Sequence, residues 1–220
     1  MAIRIGMLVF PKITQLDLTG PFEWFTRIPD AEVSLHWKTT ELVTSGSGLS
    51  LKPTLALADA PQLDVLVVPG GFGVVPLLDD AEVLAFLRRQ AEGARYVTAV
   101  CTGSLLLGAA GLLRGYEATT HWAYHDLLAA VGAIPVKKRI VIDRNRITGG
   151  GVTAGIDFGL RVAAELCGED KARAIQLGLE YDPAPPFDSG TPESAGPELT
   201  ARVRAHFEPS HKEYALRLAR

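Results

Sequence analysis

Two short, almost uninterrupted apolar runs constrain this chain more than anything else in it: Leu63-Asp64-Val65-Leu66-Val67-Val68-Pro69 and Tyr96-Val97-Thr98-Ala99-Val100. A strand with one wet face alternates apolar with polar, whereas consecutive apolar positions suit a parallel strand covered on both faces. Each run ends in turn-forming residues, Gly70-Gly71-Phe72-Gly73 and Cys101-Thr102-Gly103, and helical spacing follows each, over 80–90 and 103–110. A first strand reads over 3–10, stopped by Pro11, a second over 31–37, and a short extended pair falls in 49–57. Thr19-Gly20-Pro21 opens the first helix with the proline in its first turn, which leaves Asp17 in the strand-to-helix connection. Further on, 121–131 reads as helix, 136–143 with 146–148 as a hairpin, and 153–167 as an amphipathic helix. Strands alternating with helices define an α/β fold: a mostly parallel sheet with helices on both faces.

A chain of 220 residues buries enough surface for one α/β domain over 1–220. Its tail divides into a Pro-rich segment over 182–197 and a charged C-terminal helix over 198–220. With 22 basic against 25 acidic residues scattered through the chain, the net charge of −3 offers no footprint for a nucleic-acid backbone. No apolar run approaches the roughly 20 residues of a membrane span. Two cysteines, Cys101 and Cys167, form neither a disulfide framework nor a C-x-x-C pair, which fits a reducing, cytoplasmic setting without a zinc site.

The chemistry concentrates at Cys101. A cysteine between a buried strand and the first turn of a helix meets unpaired backbone N–H groups and the positive end of the helix dipole, both of which favour the thiolate. With Gly103 two residues on, the segment has the form of a nucleophile elbow. Asp17, set between Leu16 and Leu18, is the carboxyl placed to exchange protons with it, since an apolar setting raises a carboxyl pKa toward neutrality. Gly71 and the Gly149-Gly150-Gly151-Val152 turn offer backbone N–H groups to the sulfur or to a developing negative charge. Cys167, late in an amphipathic helix, reads as inert. Gly149 to Ala154 also satisfies the G-x-G-x-x-A form of a dinucleotide fingerprint, but no strand follows to present an acidic ribose partner, so no cofactor is expected. His121 and His125, one helical turn apart, are a second-choice partner for the cysteine.

Taken together, these residues resemble the ThiJ/PfpI superfamily, and more closely its isocyanide hydratase branch. The matching stretches are Gln15 to Pro21, Val68-Pro69-Gly70-Gly71, Val100-Cys101-Thr102-Gly103-Ser104, Ala118 to Trp122 and Thr148 to Asp157, continued by Glu180 to Phe187. Thr102 is informative because proteolytic and amidotransferase-like members place histidine directly after the nucleophile. The resemblance implies a flavodoxin-like sheet, a homodimer, and cofactor-free hydration of an isocyanide to an N-substituted formamide. It also implies Cys101 as nucleophile, Asp17 as general acid/base, Thr102 as a supporting neighbour, and Gly71 and Val152 as backbone donors near the sulfur. Two other uses of the same cysteine stay open at this point: glyoxalase or deglycase chemistry, which draws on a glutamate and a histidine, and a redox-sensing or ligand-binding domain.

Overall fold

The computed structural model describes residues 2–219. Seven strands, β1 (Ile3–Leu8), β2 (Ala31–Trp37), β3 (Leu55–Ala56), β4 (Val65–Val68), β5 (Tyr96–Val100), β6 (Ile140–Asp143) and β7 (Arg146–Gly149), form one sheet. Their spatial order is β6-β7-β5-β4-β1-β2-β3, and every pair is parallel except the β6–β7 hairpin. The two apolar runs are β4 and β5, adjacent at the centre of the sheet, with Val65 to Val68 and Val97 to Val100 fully buried, as strands covered on both faces must be. From β1 the chain builds outward to β2 and β3, then returns to lay β4 on the other side of β1. Strand order therefore reverses between β1 and β4, and in open α/β sheets the crevice at such a point, outside the strand carboxyl ends, is where ligands bind. The pairings Met7 with Val67, Val68 with Ala99, and Val100 with Gly149 bring four strand ends to one edge.

The helices are α1 (Gln15–Phe25), α2 (Ala81–Gly93), α3 (Gly103–Ala109), α4 (Ala154–Cys167), α5 (Glu169–Gly178) and α6 (Pro192–Leu218). Asp80 caps α2 by accepting the Val83 N–H at 3.1 Å, which is where its spacing places a start. On one side of the sheet α1 packs on α4 and α4 on α5; α2, α3 and α6 belong to the other. Among the described residues, no helix is long and apolar enough to cross a membrane.

Four local expectations are corrected. First, α1 begins at Gln15, so Asp17 lies in its first turn and Pro21 in its interior. An interior proline forfeits a backbone hydrogen bond, at a cost of about 3 kcal/mol, but here it fills the contact with α4. A side chain at Gly159 would meet the Pro21 Cα at 2.9 Å and Trp24 Cδ1 at 2.5 Å, so the bare glycine lets α1 approach and bury Trp24. Burying a side chain of that size contributes about 3 kcal/mol, which offsets the lost bond. Second, Trp122–Val131 is a 3₁₀ segment, not an α-helix, and another 3₁₀ segment, Phe72–Asp79, follows β4. Third, α5 was not anticipated. Fourth, α6 starts within the Pro-rich stretch, where Thr191 and Ser194 form a capping box around Pro192; Gly196, at φ 77°, then kinks the chain before the long run begins.

Candidate active site

Cys101 follows β5 directly, and its φ of 57° lies in the left-handed region that side chains other than glycine seldom occupy. The conformation is over-determined. The Cys101 N–H donates to the carbonyls of Gly149 (3.1 Å) and Gly150 (2.9 Å), and the Thr120 hydroxyl donates to the Cys101 carbonyl at 2.6 Å. Strain held by surrounding bonds in this way aims the side chain out of the turn.

Asp17 reaches the same point from α1 and is fully buried. Its Oδ2 accepts the Gly70 N–H at 2.9 Å, while Oδ1 has no well-directed hydrogen bond among the described residues. Burial raises its pKa from 3.8 to about 7, against the lowering effect of the Gly70 N–H and the Cys101 thiol. Proton sharing between carboxyl and sulfur is thus available at neutral pH.

The sulfur itself departs from the helix-dipole expectation. Burial, then the charge of Asp17, push the Cys101 thiol well above its ordinary range, although the N–H groups of Thr102 and Val152 point at it and pull the other way. Only 5% of the residue is exposed, so the desolvation of an isolated thiolate outweighs two backbone donors. The titrating unit is the pair: as the first proton leaves, one negative charge is held between sulfur and carboxyl. When that proton sits on Asp17, the sulfur is a thiolate facing two N–H groups.

Of the two expected backbone donors, Val152 faces the sulfur. The Gly71 N–H instead donates to the Thr102 hydroxyl at 3.0 Å, and that hydroxyl returns a bond to the Gly71 carbonyl at 3.3 Å. Thr102 thereby clamps the turn after β4 onto the turn after β5. Only glycine suits position 71, where φ is 135° and a side chain would lie 2.5 Å from the Thr14 nitrogen. Sequence reasoning missed two residues here, Thr120 and Tyr214, and one group of a residue it named, the Thr102 N–H. Thr120 lies in a stretch that carried the resemblance. The amide of Thr102 was passed over in favour of its side chain. Tyr214, fully buried, sends its hydroxyl from α6 to the Gly71 carbonyl at 3.1 Å, and a lone tyrosine in a charged helix carries no signal of that.

Neither histidine pairs with the sulfur. His121 caps the 3₁₀ segment, accepting the Ala123 N–H on Nδ1 at 3.2 Å, and packs against Gly151 and Phe207; burial lowers its pKa to about 4, so its ring is neutral. Cys167 donates to the Ala163 carbonyl at 3.1 Å, an ordinary helical contact. Of the aromatic residues near these motifs, Trp24 is core, Trp122 borders a cleft, and Phe72 and Phe187 are exposed.

These ionisations make stability depend on pH. His36, fully buried beside Phe86, also has its pKa lowered to about 4. Below the unfolded value of 6.5 the unfolded chain protonates both rings first, so His36 and His121 each withdraw about 2 kcal/mol by pH 5. Asp17 has the opposite sign: its folded pKa is raised, so the folded chain takes up that proton first and regains about 2 kcal/mol over the same interval. Urea unfolding at pH 7 and pH 5 is expected to show a steeper acid loss for Asp17→Asn than for the wild type. Parallel pH profiles would refute the raised carboxyl.

A strained cysteine one strand from the sheet's switch point, against a buried carboxyl whose pKa is raised to about 7, marks the site of this α/β fold. The DJ-1/PfpI family model matches residues 3–165, and the chain belongs to that family. It is 58% identical over 212 residues, 96% of this chain and 93% of the relative, to isonitrile hydratase of Pseudomonas putida. A crystal structure of a ThiJ/PfpI family protein from Pseudomonas syringae superposes with a TM-score of 0.97 at 43% identity, covering 100% of this chain and 92% of that one. The HTH-type transcriptional regulator GbdR of Pseudomonas aeruginosa is 33% identical over 81% of this chain, which spans 50% of that regulator's length.

Proposed function

We propose that this protein hydrates isocyanides, R–N≡C, to N-substituted formamides through a covalent thioimidate on Cys101. The hydratase reading is supported by the near full-length similarity to the Pseudomonas putida enzyme. The observation that carries the mechanism is the buried pair of Cys101 and Asp17, with a carboxyl pKa of about 7.

In the one-proton state the Cys101 thiolate attacks the terminal isocyanide carbon, forming the S–C bond, and Asp17 delivers its proton to that carbon. The product is Cys–S–CH=N–R and an ionised Asp17. The carboxylate then takes a proton from water as the oxygen adds to the thioimidate carbon, and that proton passes to nitrogen. Collapse of the S–CH(OH)–NHR intermediate expels the thiolate, returns the hydroxyl proton to Asp17 and releases HC(=O)NHR, so protons and charge close over one cycle. The Thr102 and Val152 N–H groups stabilise the sulfur anion at its formation and its release. Thr102 holds the elbow, and Gly71 acts through it rather than on the sulfur.

Glyoxalase-type chemistry, which calls on a glutamate and a histidine, is disfavoured by the arrangement: the carboxyl is Asp17, and His121 is spent on a backbone cap. The reading also carries a homodimer and a cytoplasmic setting, consistent with two free cysteines. Incubation with cyclohexyl isocyanide is expected to give N-cyclohexylformamide, saturably in substrate, identified by mass spectrometry. Loss of methylglyoxal with no formamide would reverse the choice.

A further inference from the structure

A cleft of about 450 Å³ adjoins the sulfur's surroundings without being used by the steps above. It shares Val152, whose N–H faces the sulfur, and Thr120, whose hydroxyl holds the Cys101 carbonyl. Its outer wall is cationic. Lys137, Lys138 and Arg139 come from the segment entering β6, and Arg204 of α6 lies 5.0 Å over the Trp122 ring. Arg139 is paired with Asp157. Lys137, Lys138 and Arg204 make no ion pair among the described residues, and the cleft's only carboxylate is Glu193. In a chain of net charge −3, this is a local excess of positive charge on a cleft that shares Val152 and Thr120 with the surroundings of the sulfur.

The isocyanide group cannot by itself supply much binding. It is small, uncharged and linear, so affinity and orientation must come from the substituent, whose binding energy holds the carbon at the nucleophile. With that carbon at Cys101, the substituent has the adjoining cleft to occupy, where Trp122 offers an apolar face and the three free cations a rim. We infer that the substrates of this enzyme are isocyanides with an anionic substituent, a carboxylate held by Lys137, Lys138 and Arg204. The inference rests on the hydration reading and adds the substrate class.

The test compares isocyanoacetate with its methyl ester, which differ in charge at nearly equal reach. At low ionic strength kcat/KM for the acid is expected to exceed that for the ester about tenfold, mainly through KM, and the ratio to shrink as salt screens the rim. In the Lys137→Ala/Lys138→Ala/Arg204→Ala variant, all three positions being exposed, the ratio is expected to fall close to one. A wild-type ratio of one or less, or a ratio unmoved by the triple substitution, overturns the inference. Calorimetric binding of N-formylglycine against its methyl ester reads the cleft without turnover. If neither of these isocyanides nor cyclohexyl isocyanide yields a formamide, the hydratase reading falls, and the cleft is judged on this arm alone: tighter binding of the acid, lost in the variant, supports the anion site, and equal binding overturns it.

Discussion

Cys101→Ala is expected to abolish formamide production, lowering kcat by about a thousandfold or more, because no other group near the elbow can form the covalent intermediate. The variant should fold. Cys101 is held by its backbone, through the Gly149, Gly150 and Thr120 bonds, and all of these survive loss of the sulfur. The methyl group still occupies most of the buried volume, so urea unfolding is expected to move by no more than about 1 kcal/mol. Intact mass after brief exposure to substrate supplies the positive counterpart: wild-type protein gains one substrate mass and the alanine variant gains none. Formamide from Cys101→Ala at a tenth or more of the wild-type rate would remove the covalent step and leave water activated by Asp17 as the chemistry.

The second large effect belongs to Asp17→Asn, expected to lower kcat by about 10² to 10⁴. Asparagine keeps a carbonyl oxygen for the Gly70 N–H and matches the volume, so what it removes is the carried proton. In the wild type, activity should rise as pH climbs through about 7, where the pair of Asp17 and Cys101 gives up its first proton, and fall again at higher pH as the second leaves. The Asn variant loses the inflection near 7. Its sulfur also sheds the neighbouring negative charge that raised its pKa, so alkylation of Cys101 by iodoacetamide is expected to begin at lower pH than in the wild type. Accumulation of a thioimidate mass adduct would place the main role of Asp17 in the hydrolytic half, and its absence would place that role in protonating the substrate. An Asn variant with wild-type kcat and an unchanged pH profile would exclude the carboxyl from both.

The sheet was the most legible part because its signal is local. A continuous apolar run needs cover on both faces wherever it sits, so β4 and β5 could be read from the order of residues within each run, and β2 and the β6–β7 hairpin followed from alternation and turn residues. Helix starts were less secure. Pro21 is a start signal in isolation, yet it falls inside α1, because a contact with Gly159, 138 positions away, rewards an interior proline that the local rule forbids. The 3₁₀ geometry of Trp122–Val131 likewise escaped notice, since a hydrophobic pattern over ten residues does not separate it from an α-helix.

At the site, the amino-acid order alone determined which groups are present and where along the chain they are offered: a cysteine at a strand-to-helix junction, a carboxyl after the first strand, and glycine turns between. Their proximity in space, the assignment of the Gly71 and Val152 amides to different partners, and the arrival of Tyr214 from the far end of the chain were decided by the tertiary structure. So was the direction of the thiol's pKa. Helix dipoles and neighbouring N–H groups are short-range features that follow from local sequence, whereas desolvation depends on every atom packed around the sulfur, and at Cys101 it is the larger effect.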